Sequence, residues 1–549
     1  MKKLCAVFLS LIIIIATVCV PGNNFFAAAE TETFEYDNYI YTVSGDEATI
    51  VGYINRPEHI DRQDSISIPE KFDGYTVVAI ADKAFENVDY IKVITLPYTV
   101  QTIGDYAFQN CSDLECIYLS EGLISIGDFA FSGCGSLITA SLPDSVETVG
   151  EYAFNSCYSL ENISLSVSLK SLGDYVFSYC YQLKRITIDF ENPYFTADNG
   201  ILFNKEKNKL IRYPAANDSE LYVIPSYITE IGTDAFSSNM ILKEVVIPDG
   251  VHTIGESAFY NCRTLEKIKL SDGLTEIPFD AFHHCQELKS IDIPDSVTKI
   301  GDMAFMSCYS MAEVEMSENI TSIGKNAFSE CILIEEINLG DKLTYIGFSA
   351  FNMCRNLKSI KIPESLESLD AAFSSCSSLT SVTVPSNIKI VGCHSFYGCR
   401  ALESIVFEEG VTVIDAYALA QCDGLKSVTL PSTLESIGYS AFAMDYELTD
   451  VYFYGSEEQW EAIQIDEDNE PLLNATIHFI EPETQEKGDI DGDGKINSFD
   501  ALQILCHSVG SDLIPEEKIR YADIDGDGVI NSSDALLVLQ YSVGKITEF

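Results

Sequence analysis

Leu96-Pro-Tyr-Thr-Val-Gln-Thr-Ile-Gly-Asp-Tyr-Ala-Phe-Gln-Asn-Cys-Ser-Asp-Leu-Glu-Cys-Ile-Tyr-Leu119 is the stretch whose reading decides the fold. Leu114, Ile117 and Leu119 stand at i, i+3 and i+5, which predicts a short strand with its apolar side inward. Val100 and Ile103 open a second apolar segment that ends at Gly104. Between the two, Asp105 to Asn110 is expected as a short helical turn, with Ala107 and Phe108 facing inward. The Ala-Phe landmark recurs at Phe85, Phe108, Phe131 and Phe154, with Val176-Phe177 as a variant. It returns at Phe236, Phe259, Phe282, Phe305, Phe328, Phe351, Phe373, Phe396 and Phe442, with Leu419 standing in once, for fifteen units of about 23 residues. One such unit cannot cover its own apolar face. Stacked neighbours bury a continuous core, so a solenoid follows.

The spacing resembles the BspA-type leucine-rich repeat of bacterial surface and secreted proteins. Two further segments fit that resemblance. Asn192-Pro-Tyr-Phe-Thr-Ala-Asp-Asn-Gly-Ile-Leu-Phe-Asn-Lys205, continuing to Pro214, matches the longer hairpin-bearing unit of such arrays. It accounts for the 59-residue step between Phe177 and Phe236. Tyr452 to Phe479, with Trp460, matches the family's terminal unit. The resemblance covers roughly residues 34 to 480 and implies a fold; function lives in sites.

Twelve cysteines occupy one point of the repeat: Cys111, Cys134, Cys157, Cys180, Cys262, Cys285, Cys308, Cys331, Cys354, Cys376, Cys399 and Cys422. Metal clusters need short spacings of two to four residues, which this ladder lacks. A periodic cysteine is expected instead as a small apolar residue filling one hole per coil, reduced and structural. Alanine there should be tolerated a little better than serine, whose hydroxyl would be buried.

A different pattern follows the repeats. Asp489-Ile-Asp-Gly-Asp-Gly-Lys-Ile-Asn-Ser-Phe-Asp500 and Asp523-Ile-Asp-Gly-Asp-Gly-Val-Ile-Asn-Ser-Ser-Asp534 are one sentence written twice, 34 residues apart. A hard cation takes six or more oxygens, and a twelve-residue loop supplies them by alternating ligands with residues that turn the chain. The expected ligands of the first loop are Asp489, Asp491, Asp493, the Lys495 carbonyl, Asn497 and Asp500. Those of the second are Asp523, Asp525, Asp527, the Val529 carbonyl, Asn531 and Asp534, for two calcium ions in all. An amphipathic stretch follows each loop and stops at Gly510 or Gly544. This loop-helix pair resembles a type I dockerin, whose partner is the cohesin domain of a cellulosome scaffold. The resemblance implies cohesin-facing positions at Ser498, Phe499, Leu505 and Cys506, and at Ser532, Ser533, Leu539 and Gln540. The copies differ where Phe499 meets Ser533.

The chain of 549 residues carries a formal net charge of −51, from 33 basic and 84 acidic residues. Such a surface repels phosphate backbones and anionic lipid, which argues against nucleic acid and membrane partners. Met1-Lys-Lys, an apolar run to Val20 and Ala27-Ala28-Ala29 predict a secretory signal over 1–29. The expected plan continues with an N-terminal β cap over 30–78 and a solenoid over 79–480, with its longer unit at 189–224 and terminal cap at 452–480. A joint at 481–487 and the dockerin at 488–549 complete it. The fold class is α+β, a leucine-rich-repeat solenoid followed by a small all-α module.

Catalytic motifs are absent from the sequence: there is no Gly-x-Ser-x-Gly, His-Glu-x-x-His or phosphate loop. The adjacent His283 and His284 are expected as exposed turn residues whose rings point apart. Outward strand positions such as Lys269, Asp292, Glu315, Asn338, Lys361 and Thr383 predict a solvated mixed-charge face. Trp460 is the only Trp, and Tyr118 and Tyr452 lie at opposite ends, so no aromatic stripe for sugar stacking is expected. The sequence therefore predicts a secreted, non-catalytic binding protein, extracellular or attached at the cell surface through a scaffold. The solenoid would hold an unidentified protein ligand. The alternative is a component acting directly in polysaccharide degradation, as a glycoside hydrolase.

Overall fold

The computed structural model describes residues 32–54, 64–480, 487–511, 514–515 and 518–547. The expected signal, 1–29, and residues 481–486 of the expected joint lie outside the described residues.

Most coils hold two short strands with a turn between them. In the coil quoted above the strands are Thr102–Ile103 and Cys116–Tyr118. Ile103 registers with Ile126 of the next coil, and Ile117 with Ile94 of the previous one, both in parallel. Repetition gives two rows of parallel strands along a solenoid of about 17 turns. Side chains alternate along a strand, so Ile117 is buried between the outward-facing Cys116 and Tyr118.

Asp105–Asn110 is not the expected helical turn. It is a run of tight turns with Tyr106 and Asn110 in the left-handed region, at φ 58° and 57°. This geometry aims alternate N–H groups along the solenoid axis. Tyr106, Phe108 and Asn110 donate to the carbonyls of Asp128, Ala130 and Ser132 in the next coil. Gln109 and Cys111 donate within the coil, to Tyr106 and Phe108. A helix would spend all these donors internally and leave the coils unbonded here. A left-handed non-glycine residue costs roughly 1–2 kcal/mol. A hydrogen bond returning about 0.5–1.5 kcal/mol offsets much of that. Gly127 is required for another reason: a Cβ there would lie 2.7 Å from Asp105 N and from Gly104 C, too close for any side chain.

Inside the turns, Phe108 stacks on Phe131, and Phe131 on Phe154, each pair at 5.2 Å between ring centroids. Aromatic pairs add about 0.5–1.5 kcal/mol beyond the area they bury. The cysteine ladder runs beside them, buried and unbridged. Its members do more than fill a hole. Cys134 Sγ donates to Phe108 O at 3.3 Å, and Cys308 Sγ to Phe282 O at 3.3 Å. Burial pushes the Cys134 and Cys308 thiols up, and Cys111 to about 12, so these remain protonated donors at neutral pH. Where the ladder stops, Asn239 and Asp445 take the cysteine's place. Asn239 Nδ2 donates to Pro214 O at 3.3 Å, and Asp445 Oδ1 accepts from Cys422 N–H at 2.8 Å.

The longer unit divides the core into two clusters, one reaching Leu202 and the other starting at Ile201. Strands Phe195–Asp198 and Ile201–Asn204 form an antiparallel hairpin, and Lys209–Arg212 resumes the parallel pattern against Glu230–Ile231. At the division Arg212 is only 3 % exposed. Its guanidinium holds Asp234 Oδ2 at 2.6 Å, Phe177 O at 2.9 Å and Ser237 O at 3.1 Å. Phe177 O is the carbonyl that a further ladder cysteine would have met, so Arg212 joins the two halves. Burial pushes the Asp234 carboxyl up even though Arg212 opposes it.

Two other expectations need correction. His283 and His284 do not point apart: their rings stack at 4.1 Å and are half-buried. His284 is left-handed at φ 61°, which turns its ring to the side of its neighbour. There is also an aromatic row, on the turn side of the solenoid. Tyr106, Phe129, Tyr152 and Tyr175 stack at 4.9, 4.6 and 4.8 Å. The ring faces cover one another, so the row strengthens the coil stack and offers no open platform to a sugar.

At one end Thr33–Tyr36, Tyr39–Ser44 and Glu47–Tyr53 form an antiparallel meander that joins Tyr75–Ile80 in parallel. At the other, Thr476–Phe479 pairs with Asp450–Phe453, after helices Glu457–Glu461 and Glu470–Asn474. In the helical module, Ser498–Ser508 and Ser532–Ser542 bury Ala501, Ile504, Ala535 and Val538 together with Ile490 and Ile524.

Candidate calcium and docking site

The two loops have nearly the same geometry. Carboxylate oxygens of Asp489, Asp491 and Asp493 lie within 4.8 Å of one another, and so do those of Asp523, Asp525 and Asp527. In the first loop Asp489 accepts N–H groups from Gly492 and Gly494, each at 2.9 Å. Asp491 accepts from Asp493 at 3.0 Å, and Asp493 from Lys495 at 2.9 Å. These bonds wind the chain around one point. Gly494 and Gly528 sit at φ 78° and 81°, in the left-handed region the bend needs. Burial, then the charges of Asp500, Asp493 and Asp489, push the Asp491 carboxyl up. An all-oxygen cluster whose charges oppose one another suits a hard divalent cation.

The remaining expected ligands hold the frame. Asp500 is buried, and its Oδ1 accepts from Ile490 N–H at 2.7 Å while its Oδ2 accepts from Asn497 N–H at 2.8 Å. Asp534 does the same for Ile524 and Asn531. Asn497 caps the first helix through Phe499 N–H at 2.7 Å and donates to the Lys495 carbonyl at 3.1 Å. Asn531 matches it, with Ser533 and Val529 as partners. Each loop is thus tied to the start of its helix through a capping box.

Of the eight expected partner positions, Ser498, Phe499, Leu505, Ser532 and Ser533 are exposed, while Cys506, Leu539 and Gln540 are half-buried. Phe499 is 54 % exposed. The structure adds Leu502 and Val509 on the first helix, and Leu536 and Val543 on the second, all exposed. With Leu505 and Leu539 they form two matching apolar stripes at i, i+3 and i+7. The signal was present in the sequence, since the stripes repeat at the 34-residue offset.

Comparison with known proteins agrees with this division. Residues 78–199, 229–358 and 344–462 match the BspA type leucine rich repeat region, in six copies, over more than half of the chain. Residues 487–541 match the dockerin type I domain. Such domains bind calcium, and their partner is a cohesin. Among solved structures, a leucine-rich repeat protein from Eubacterium ventriosum is 22% identical, with 58% of this chain and 93% of that one covered and a TM-score of 0.47. A leucine-rich repeat protein from Bacteroides ovatus is 24% identical, over 82% of this chain and 100% of that one, with a TM-score of 0.41. No curated protein matches the chain. The chain belongs to the BspA-type leucine-rich repeat family and carries a type I dockerin domain at residues 487–541.

Proposed function

We propose that this chain is a secreted, non-catalytic binding protein. Its dockerin fastens it to a cohesin-bearing extracellular scaffold, and its solenoid holds a protein ligand. The observation that carries this reading is the duplicated carboxylate loop, each copy tied to the start of a helix with an exposed apolar stripe.

Two calcium ions would be held, one by Asp489, Asp491, Asp493, the Lys495 carbonyl, Asn497 and Asp500, the other by the matching residues Asp523 to Asp534. The cation supplies positive charge at a point where three carboxylates otherwise repel one another. The chain supplies the rest. Asp500 and Asp534 close each loop onto its own backbone, and Asn497 and Asn531 set the helix directions. A closed loop therefore fixes where Phe499, Leu502 and Leu505 stand. Direct polysaccharide hydrolysis would need two carboxyl groups set across a cleft. The buried carboxyls with raised pKa in the solenoid, Asp234 and Asp445, are engaged inside the core.

Calorimetric titration of the full chain with type I cohesins tests the reading. Calcium-dependent binding is expected, and chelator should abolish it. Phe499→Ala should weaken it ten-fold or more, since burying that ring contributes about 2 kcal/mol. Ser533→Ala should change little. Equal losses would point to docking in two equivalent orientations, and binding that survives chelator would refute the calcium-held module.

A further inference from the structure

The sheet along the solenoid is cut at the longer unit. Strand Arg185–Ile188 ends a six-stranded sheet, and Leu221–Val223 begins a three-stranded one. The two strands belong to consecutive coils but do not pair. The hairpin turn is the cause: Ile186 N–H donates to Gly200 O at 3.0 Å, so the hairpin tip takes the place of the next strand. Among the described residues, no strand pairs with the outer edge of Leu221–Val223. Its free donors can be assigned from register. Glu244, opposite Leu221, donates back to Glu220 of the preceding coil at 3.0 Å. By the same alternation Leu221 and Val223 turn their N–H groups toward the open edge.

The side chains there are unusual for an open edge. Leu221 and Val223 are 53 % and 59 % exposed, and Phe190, just past the opposite strand, is 79 % exposed. The residues in register two coils on are Lys267 and Lys269. Natural edge strands are blunted with charge, proline or a cover, because bare apolar edges recruit other chains. The three strand residues carry neither charge nor proline, and Glu220 beside them is paired with Lys243. Its surroundings also differ in charge: apart from the buried Arg212, residues 184–212 hold five basic and four acidic side chains, in a chain with 33 basic and 84 acidic, and Arg185 is exposed on the facing strand.

We propose that the outer edge of Leu221–Val223 is a docking site for an extended segment of a partner protein. The segment would carry apolar side chains at alternate positions and acidic residues beside them. This rests on the reading of the solenoid as a protein-binding arm. Its backbone carbonyls accept from Leu221 and Val223 N–H, which provides the pairing. Its alternate side chains pack on Leu221, Val223 and Phe190, and a carboxylate of the segment meets Arg185, exposed on the facing strand. A second copy of the chain suits the site less, because two bodies of net charge −51 repel each other.

The test uses the full chain with calcium and a fluorescein-labelled peptide, Glu-Val-Thr-Val-Thr-Val-Glu. Fluorescence polarisation should show saturable binding, and hydrogen exchange should slow at the Leu221 and Val223 amides. Leu221→Glu should weaken binding ten-fold or more, and so should peptide methylation on alternate backbone nitrogens in one of the two registers. Absence of binding, unchanged exchange at both amides, or equal binding by both methylated peptides overturns the proposal. A dimer of the unliganded chain that Leu221→Glu dissolves also overturns it, by assigning the edge to a second copy. Thermal melting and cohesin titration of Leu221→Glu serve as controls, and both should match the parent chain. Lost peptide binding with intact cohesin binding isolates the edge. If the parent chain fails on the peptide alone, only the edge proposal falls and the dockerin reading stands.

Discussion

The solenoid and the dockerin module both begin from a unit too small to bury its own apolar face, and they complete it in opposite ways. The solenoid adds copies. Phe108 finds Phe131, Cys134 finds Phe108 O, and the turn N–H groups find the next coil. These contacts are neutral and close-packed, so stability grows with repeat number. The module has only two copies and, among the described residues, a core of eight buried ones. Each of its loops gathers three carboxylates within 4.8 Å, a repulsion that a bound cation would offset. One chain can thus join an arm held by repeated packing to an anchor whose small core sits beside gathered charge.

Removing calcium should separate the two parts most strongly. In full-length chain with chelator, amides of Ser498–Ser508 and Ser532–Ser542 should lose hydrogen-exchange protection. Amides of the turn ladder, such as Phe108 and Phe131, should keep theirs. Equal protection of the helices with and without calcium would break the comparison, because the module would then be held by its core alone.

The next largest effect should appear inside the solenoid. Arg212→Ala leaves Asp234 buried without its partner, a change that costs about 3–5 kcal/mol. Denaturant unfolding should show the loss and split the solenoid transition in two, at the boundary between the core clusters. The pair Arg212→Met with Asp234→Leu should recover most of it, since a buried ion pair and a packed apolar pair have similar net stability. Calcium affinity should not move. A loss under 1 kcal/mol for Arg212→Ala would show that the two halves stack without this staple.

Much of this was legible in the sequence, because repetition turns a weak signal into a strong one. The Ala-Phe spacing located fifteen of the roughly 17 turns, and the two Asp-x-Asp-Gly-Asp-Gly runs located the loops. The turn was misread as helical because Tyr106-Ala107-Phe108 is compatible with a helix turn. The contrary signal lay in the flanking positions, where Asn87, Asn110, Asn261, Gly133 and Gly398 recur at left-handed sites. Arg212 could not be found, since nothing local distinguishes a buried arginine from a solvated one. The cysteine's donor role was hidden for a similar reason: its acceptor sits 26 residues earlier, on the backbone.

Acidity offers a third contrast. The module gathers its carboxylates where a bound cation would offset their charge, whereas the solenoid buries Asp445 and keeps it by protonation. Burial pushes Asp445 up to about 8, with Asp423 adding to the rise and Cys422 N–H opposing it. The native state therefore holds a proton that the unfolded chain, with an ordinary carboxyl near 4, has released. Stability should fall as pH rises from about 4 to about 8 and level off above. Asp445→Asn should remove that slope and stabilise the solenoid by about 1–3 kcal/mol at pH 8, with no difference near pH 4. Urea titrations at both ends of the range measure it. A parent chain as stable at pH 8 as at pH 5, with no change in the variant, would mean that water reaches the carboxyl.

The smallest effect asks what the cysteine ladder is for. If each thiol only fills a hole, replacement cost should follow volume alone, and valine, the residue at position 88 in the first coil, should serve. If the S–H bond matters, the cost should follow the donor. Cys308 is fully buried, and its Sγ meets Phe282 O at 3.3 Å. Cys308→Ala loses both volume and donor and should cost about 1 kcal/mol. Cys308→Ser keeps a donor aimed at the same carbonyl and should cost about 0.5 kcal/mol less than Ala, the reverse of what burial of a hydroxyl alone suggests. Cys308→Val keeps volume without the donor, so Ser against Val separates the two roles by thermal melting. Changes in coils several turns apart should add, because each coil touches only its neighbours. Val above Ser, coil after coil, would make the ladder a packing device and leave the turn ladder as the bond that joins the coils.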